Sequence, residues 1–489
     1  MNKNYNKRDF LKVVALGAAG LTLYHFYNIK KPVSKEESRP EKRPKNASKP
    51  IDISTDDVVI LNRDDEAYEK YRNGYNKRIS LYPQAIAVCK TEKGVQYAVD
   101  FAKRNKLKIA VKSGGHSFEG FSSNNGGLVI NVSQMKKIDW KEDDIVHLQP
   151  GCLLKDIYDN FLPRKKIIPA GSCGTVGVAG LTLGGGYGLF SRNYGLTCDN
   201  LIGLKMVGND AKIYDSNDHP DLLWACKGGG NGNFGVVTEL RYRTHVAPNN
   251  LSSYVLKFRN LDSNKFVVLT NKWFELSNKL PLEAFSAFVL NGKTLTILIT
   301  NYLSHTSIFE ETFSDLIKIS DQYKASKNQN LASALKRYYG RENPLYFKNA
   351  SAGMYKNAHD LSEVYSSIFD KVISNPGIIF QINTLGGNIN LPEFEKNSAY
   401  PHREFNFLGE LQAYWENPNQ EKRLVGAFEE IQKIIKSNGV TAHYRNYPDI
   451  NFDDWKNAYY GTNYEKLQSI KTKFDPEDLF HYAQGIQAI

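Results

Sequence analysis

Cysteine is scarce. The 489 residues contain five (Cys89, Cys152, Cys173, Cys198 and Cys226), an odd number with no C-x-x-C pair, which excludes a zinc ribbon and a disulfide framework. The ten histidines show no H-E-x-x-H and no clustered ligand spacing, so no metal site is expected. No Walker loop occurs, which removes P-loop NTPases, and no 20–50-residue period, which removes solenoids and propellers. A basic surplus is also missing from the body of the chain. Of the formal net charge of +11, residues 1–50 hold +8 and all the rest only +3, so no concentrated basic face is present to bind nucleic acid.

What is present fits a folded body: 41% hydrophobic and 24% charged residues, with a length that allows two to four domains at ~100–200 residues each. Lys7-Arg8-Asp9-Phe10-Leu11-Lys12 followed by the apolar Val13–Tyr27 reads as an export signal over 1–28, similar to a bacterial twin-arginine signal with Lys7 in place of the first arginine. The apolar run is short of the ~20 residues that span a bilayer, so an anchor is the lesser alternative. Residues 29–50, with four prolines among Lys, Glu and Ser, read as a linker. The expected location is periplasmic or extracellular.

From Ile51 the pattern is α+β: an extended run at Tyr82–Ala87, a helix over Gly94–Asn105 and an apolar run at Ile109–Val111 that enters a glycine turn. Glycine is concentrated in 114–127, 171–188 and 228–235, where loops must let backbone approach something closely. After about Ala247 the spacing predicts strands Ala284–Leu290 and Thr294–Tyr302 and helices Ile308–Tyr323 and Glu421–Asn438, a second domain. Gly230-Asn-Gly232-Asn-Phe-Gly235 matches G-x-G-x-x-G, but it runs into the alternating Gly235–Arg243 segment rather than opening a helix. It is therefore not a dinucleotide fingerprint. Backbone N–H groups in the other two glycine loops can form a nest for a pyrophosphate.

Lys112-Ser113-Gly114-Gly115-His116-Ser117-Phe118-Glu119-Gly120 and the run Ala170–Gly188, with Gly171-Ser172-Cys173-Gly174-Thr175-Val176-Gly177 at its start, resemble the flavin-binding domain of the vanillyl-alcohol-oxidase superfamily, and within it the berberine-bridge-enzyme-like oxidases. Tyr194–Asn200, Leu222–Thr238, Tyr444-Arg445-Asn446-Tyr447-Pro448-Asp449 and Tyr459–Tyr464 extend the likeness from about Pro83 to Gln484. Two positions depart from the family's pattern: Gly174 stands where a proline follows the cysteine, and Leu181 where many members have a histidine.

The resemblance implies an α+β chain: a two-part PCMH-type FAD-binding domain (51–247), a substrate domain with an antiparallel sheet (248–440), and a C-terminal berberine-bridge-like segment (441–489) that completes the first. It implies FAD, bonded covalently through His116 and Cys173, with Ser113, Gly114, Gly115, Ser117, Val176, Gly177, Gly180, Gly184, Gly185, Tyr187, Gly188 and Val237 as further cofactor contacts. Tyr447 is the implied catalytic base. A phenol needs help to ionise at neutral pH, and if His443–Tyr447 is a strand, Arg445 shares the Tyr447 face and supplies it. By the same alternation Glu410 and Gln412 share one face, with Glu410 a second catalytic candidate and Gln381, Asn383 and Gln412 as substrate contacts.

The implied activity is oxidation of a hydroxyl substrate (saccharide, alcohol or natural product) by hydride transfer to flavin, with dioxygen reduced to hydrogen peroxide. Val176 stands where small residues admit oxygen in the family. The alternative is a dehydrogenase that serves a quinone or protein acceptor.

Overall fold

The computed structural model describes residues 15–17, 20–22, 53–54, 56–303 and 307–489. Apart from a three-residue antiparallel pairing of Ala15–Gly17 with Gly20–Thr22, the expected signal and linker lie outside the described residues.

The first sheet has five strands in the order Ile53–Ser54, Val58–Asn62, Ala85–Cys89, Leu128–Asn131, Ile109–Lys112, the last three mutually parallel. Helix Glu92–Arg104 carries the chain from Ala85–Cys89 to Ile109–Lys112 so that the two run parallel on either side of Leu128–Asn131, its first turn capped by Thr91 Oγ1, which accepts from Gly94 N–H at 3.1 Å. Ala85–Cys89 is buried throughout, as a central strand covered on both faces must be. The expected strand at Tyr82 starts later, because Pro83 has no N–H to donate and its carbonyl accepts from the Tyr68 hydroxyl (2.7 Å).

A second sheet, antiparallel, runs Ile213–Asp215, Leu201–Val207, Val236–Arg243, Ile145–Leu148, Ile138–Trp140. The strand predicted after Gly235 is thus present and the Rossmann-like string opens no helix. The chain's end returns to the first sheet: Ile109 N–H donates to Leu479 O (2.8 Å) and His481 N–H to Ile109 O (3.2 Å). Buried Lys471 holds the return, donating to Asp475 Oδ2 (2.5 Å), Asn233 O (2.8 Å) and Phe480 O (2.7 Å).

The third sheet has seven antiparallel strands in the order Gln322–Asn330, Asn250–Phe258, Thr294–Asn301, Ala284–Asn291, Ile378–Thr384, Phe407–Trp415, Tyr346–Tyr355. Alternation divides it. Phe288, Leu290, Phe380, Ile382 and Leu411 pack with helices Ser263–Ser277, Tyr365–Ser374 and Glu421–Ser437 in one core. Phe285, Val289, Ile379 and Leu408 face the other way, into the core that also holds Cys173, Tyr187 and Tyr447. Gln381, Asn383, Glu410 and Gln412 lie on this second face, as the alternation predicts.

One predicted helix is corrected. In place of a single helix over 308–323 there are two short ones, Ser307–Thr312 and Ser314–Ile319, and Tyr323 belongs to strand Gln322–Asn330. That strand is a polar, partly exposed sheet edge, protected by Lys324 and Lys327, and shows no apolar alternation to betray it.

Candidate active site

Two glycine loops meet first. A Cβ on Gly114 would stand 2.3 Å from Gly177 N, and one on Gly177 would stand 2.3 Å from Ser113 Oγ, so both positions must lack a side chain for the loops to touch. Gly115 has φ +72°, which turns the loop toward His116. Lys112 braces it from behind, donating to Tyr71 O (2.8 Å) and Asn73 O (2.6 Å), and burial lowers its pKa to about 8. Ser113 Oγ donates to Pro150 O (2.6 Å), and Ser117 Oγ accepts from Phe121 N–H (2.9 Å).

His116 stacks on Tyr75 (centroids 4.1 Å apart, 18° between planes) and its Nε2 lies 3.0 Å from Thr175 Oγ1. Burial pushes the imidazole down to about 3, so it is neutral. Cys173 Sγ lies 3.7 Å from the same Thr175 Oγ1. The two residues expected to hold the cofactor, 57 positions apart, therefore share one hydroxyl. A cavity of about 350 Å³ opens beside His116, lined by Ser113, Gly114, His116, Gly151, Leu153 and Thr175 among others.

Gly174, the departure from the family's proline, has a structural cause. Its N–H donates to Tyr339 O (2.9 Å), a bond no proline makes, and a Cβ there would already lie 3.1 Å from the Tyr339 ring. Farther along the run, Gly184 and Gly188 are needed for packing: a Cβ would stand 2.0 Å from Asn446 Oδ1 and from Ala170 O, respectively. Gly185 has φ +119° beside Tyr444 and Tyr400. Gly180 faces Asn231, whose buried Oδ1 has no hydrogen-bond partner. Val176 and Val237 are buried in the core that holds Cys173.

On the polar sheet face the expected substrate contacts form a chain of hydrogen bonds. Gln412 Nε2 donates to Gln381 Oε1 (3.1 Å), Gln381 Nε2 to Asn383 Oδ1 (2.8 Å), Asn383 Nδ2 to the Tyr187 hydroxyl (3.1 Å), and the Tyr447 hydroxyl to the same Tyr187 oxygen (3.0 Å). Tyr187, expected as a cofactor contact, thus joins Tyr447 to the sheet. Glu410 pairs in register with Gln381. Its carboxyl is buried with neither oxygen accepting a hydrogen bond, while the neighbouring Gln412 amide is committed to Gln381. Burial holds the Glu410 pKa well above the usual carboxylate range.

The expected help from Arg445 is a correction. His443–Tyr447 is not a strand: Tyr447 N–H closes a turn onto Tyr444 O (2.9 Å). The guanidinium points away, donating to the Tyr460 and Tyr482 hydroxyls (2.7 Å each). Around Tyr447 burial first, then Tyr187, Glu410 and Tyr444, all raise its pKa. Tyr187 is raised by burial too, but the bond from Tyr447 acts in the opposite sense. With two donors on its oxygen, Tyr187 is the better seat for a negative charge within the pair.

Three contributors had no signal in the sequence. Phe118 stacks on Tyr447 (5.3 Å, 18°) and so ties it to the His116 loop, and Tyr75 backs His116. Lys348 is buried between Glu119 and Asp449 (2.7 Å to the latter), which joins that loop, the sheet and the Tyr447 turn.

The residues fit a flavin dinucleotide. They offer a neutral imidazole and a thiol that meet at one hydroxyl, a side-chain-free glycine cradle, and a buried polar face with unsatisfied acceptors. Among the described residues no His/Cys/Asp/Glu cluster suited to a metal occurs, and no helix is long and apolar enough to cross a membrane.

Comparison with known proteins agrees with this geometry. Residues 83–217 match the family described as "FAD binding domain" and residues 443–487 the family "Berberine and berberine like". The chain is 29% identical over 447 residues to an uncharacterized FAD-linked oxidoreductase, YgaK, of Bacillus subtilis (87% of this chain, 96% of that one). It is 28% identical over 453 residues to a chitooligosaccharide oxidase of Gibberella zeae (86% and 91%). A solved structure of a variant of the BBE-like 1 protein of Physcomitrella patens shares the fold, with a TM-score of 0.81 at 23% identity, covering 88% of this chain and 97% of that one.

Proposed function

We propose that this chain, an FAD-linked oxidoreductase of the berberine-bridge-like kind, is an exported oxidase that converts a substrate hydroxyl to a carbonyl and passes the electrons to dioxygen. The observation that carries the reading is the Tyr447–Tyr187 pair beside the polar face of the sheet.

His116 and Cys173 would hold the cofactor covalently, with Gly114, Gly115 and Gly177 giving its phosphates room against backbone N–H groups. When bound, FAD supplies the two-electron acceptor for the substrate's hydride and the route to dioxygen.

The chain's own residues supply the rest. Gln381, Asn383 and Gln412 orient the substrate's hydroxyls, which fixes the carbon that is oxidised. Once the pair has lost a proton, with the charge on Tyr187, Tyr447 takes the proton from the reacting hydroxyl as it hands its own to the Tyr187 phenolate, whose oxygen is held by Asn383 Nδ2. The proton thus comes to rest on Tyr187 along a bond already formed, and the alkoxide that remains expels hydride readily. Glu410, kept neutral by its burial, donates to the substrate. Val176, smaller than leucine, leaves dioxygen a path. Saccharides are the favoured substrate class, as for the oligosaccharide oxidase that the chain resembles.

Anaerobic mixing of the purified protein with saccharides and simple alcohols tests this reading. Saccharides should bleach the visible flavin band, and air should restore it within seconds with hydrogen peroxide formed. Bleaching followed by sluggish recovery in air would assign the protein to the dehydrogenases.

A further inference from the structure

We propose that the Thr175 hydroxyl relays the thiol proton of Cys173 to His116 Nε2, so that one side chain readies the second attachment point of the flavin by means of the first. This rests on the double attachment proposed above.

Thr175 Oγ1 is placed to do so: 3.0 Å from His116 Nε2 and 3.7 Å from Cys173 Sγ. A hydroxyl has one proton to give and two lone pairs to accept with, so it can take a proton from the thiol while giving its own to the imidazole. The turn that carries it is held on every side. Gly174 N–H is bonded to Tyr339 O (2.9 Å), Lys155 N–H to Gly174 O (3.0 Å), Leu154 N–H to Val176 O (3.0 Å) and Val176 N–H to Cys173 O (3.2 Å). Across the gap, the Tyr75 ring fixes the imidazole plane. Because Nε2 is engaged by Thr175, Nδ1 is the nitrogen left to form a bond.

The order follows from the proton count. His116 Nδ1 contributes an electron pair to the flavin 8α-carbon; one methyl hydrogen leaves as a proton and two electrons remain in the cofactor. The alkylated imidazole sheds its Nε2 proton through the adjoining cavity, which both His116 and Thr175 line. That bare nitrogen then draws the Cys173 proton through Thr175. The thiolate bonds to the flavin 6-carbon, whose hydrogen leaves as a proton with two more electrons. Dioxygen accepts each electron pair with two protons, giving hydrogen peroxide. An unassisted thiol with a pKa of ~8.5 is mostly protonated at neutral pH, so the relay bears on the second bond far more than on the first.

The test uses full-length wild-type protein, Thr175→Val and Thr175→Ser, incubated with FAD in air at pH 7 and sampled over time. Flavin mass is read separately on the peptides containing His116 and Cys173. Thr175→Val should keep the His116 attachment within about threefold and slow the Cys173 attachment at least tenfold, with the lost rate returning as the pH is raised. Thr175→Ser, which keeps the hydroxyl, should resemble wild type at both sites. Doubly attached wild type with an unimpaired valine variant overturns the relay alone, as does a serine variant as slow as valine. Wild type without flavin on Cys173 overturns the double attachment and the relay with it.

Discussion

Tyr447 and Tyr187, 260 residues apart in the chain, stand with their phenolic oxygens 3.0 Å apart, and the first donates to the second. One comes from the C-terminal turn and the other from the glycine-rich run of the FAD-binding domain. Burial raises both pKa values, so the pair rests protonated and must lose a proton to act as a base.

The rate therefore has a direction in pH. The active form is the ionised pair and its pKa is raised, so kcat should climb with pH and still be rising above about pH 8. Tyr447→Phe should lower kcat by about 10²–10⁴-fold. Tyr187→Phe should lower it less and move the rising limb to higher pH, because the remaining phenol loses its acceptor. A pH profile of kcat at saturating substrate for the three proteins checks this, and a flat profile in wild type would refute it.

Glu410 should cost stability as the pH rises. Its folded pKa lies above the ordinary value, so the folded state keeps a proton that the unfolded chain releases. The contribution is complete below the unfolded pKa, ~4.3, and is lost as the pH climbs toward the folded one. Glu410→Gln removes this dependence. The melting temperature of the variant relative to wild type should rise between about pH 5 and pH 8, measured by thermal denaturation.

How much of this was legible in the sequence depended on range. His116 and Cys173 stand in local glycine strings, and the shared face of Glu410 and Gln412 follows from the two-residue period of a strand. That period does not hold over His443–Tyr447, where a backbone bond from Tyr447 to Tyr444 makes a turn, so Arg445 does not share the Tyr447 face. The bond from Asn383 to Tyr187 and the stacking of Phe118 on Tyr447 join residues hundreds of positions apart, so no local pattern announces them. The edge strand Gln322–Asn330 escaped because its residues are polar on both faces.

Lys348 should be costly to remove. It is buried between Glu119 and Asp449, and Lys348→Met leaves two carboxylates facing each other with Arg78 alone in reach of one (2.7 Å from Glu119). Removing one partner of a buried ion pair costs about 3–5 kcal/mol. Urea denaturation should show a loss of that size, together with a fall in kcat, since Asp449 lies two residues past Tyr447.

Gly174→Pro, which restores the family's more usual residue, should harm this protein. It deletes the bond to Tyr339 O and crowds the Tyr339 ring, a combination worth about 1–3 kcal/mol. Attachment at Cys173 should slow with it, measured as flavin mass on that peptide; a faster attachment would mean that the turn is placed by something other than Tyr339.

The proposed chemistry depends on a flavin bonded at two points. Acid precipitation of the purified protein followed by mass measurement of its peptides tests that directly. The expected result is a yellow pellet with flavin mass on both the His116 and the Cys173 peptides; a colourless pellet with the flavin in the supernatant would contradict it.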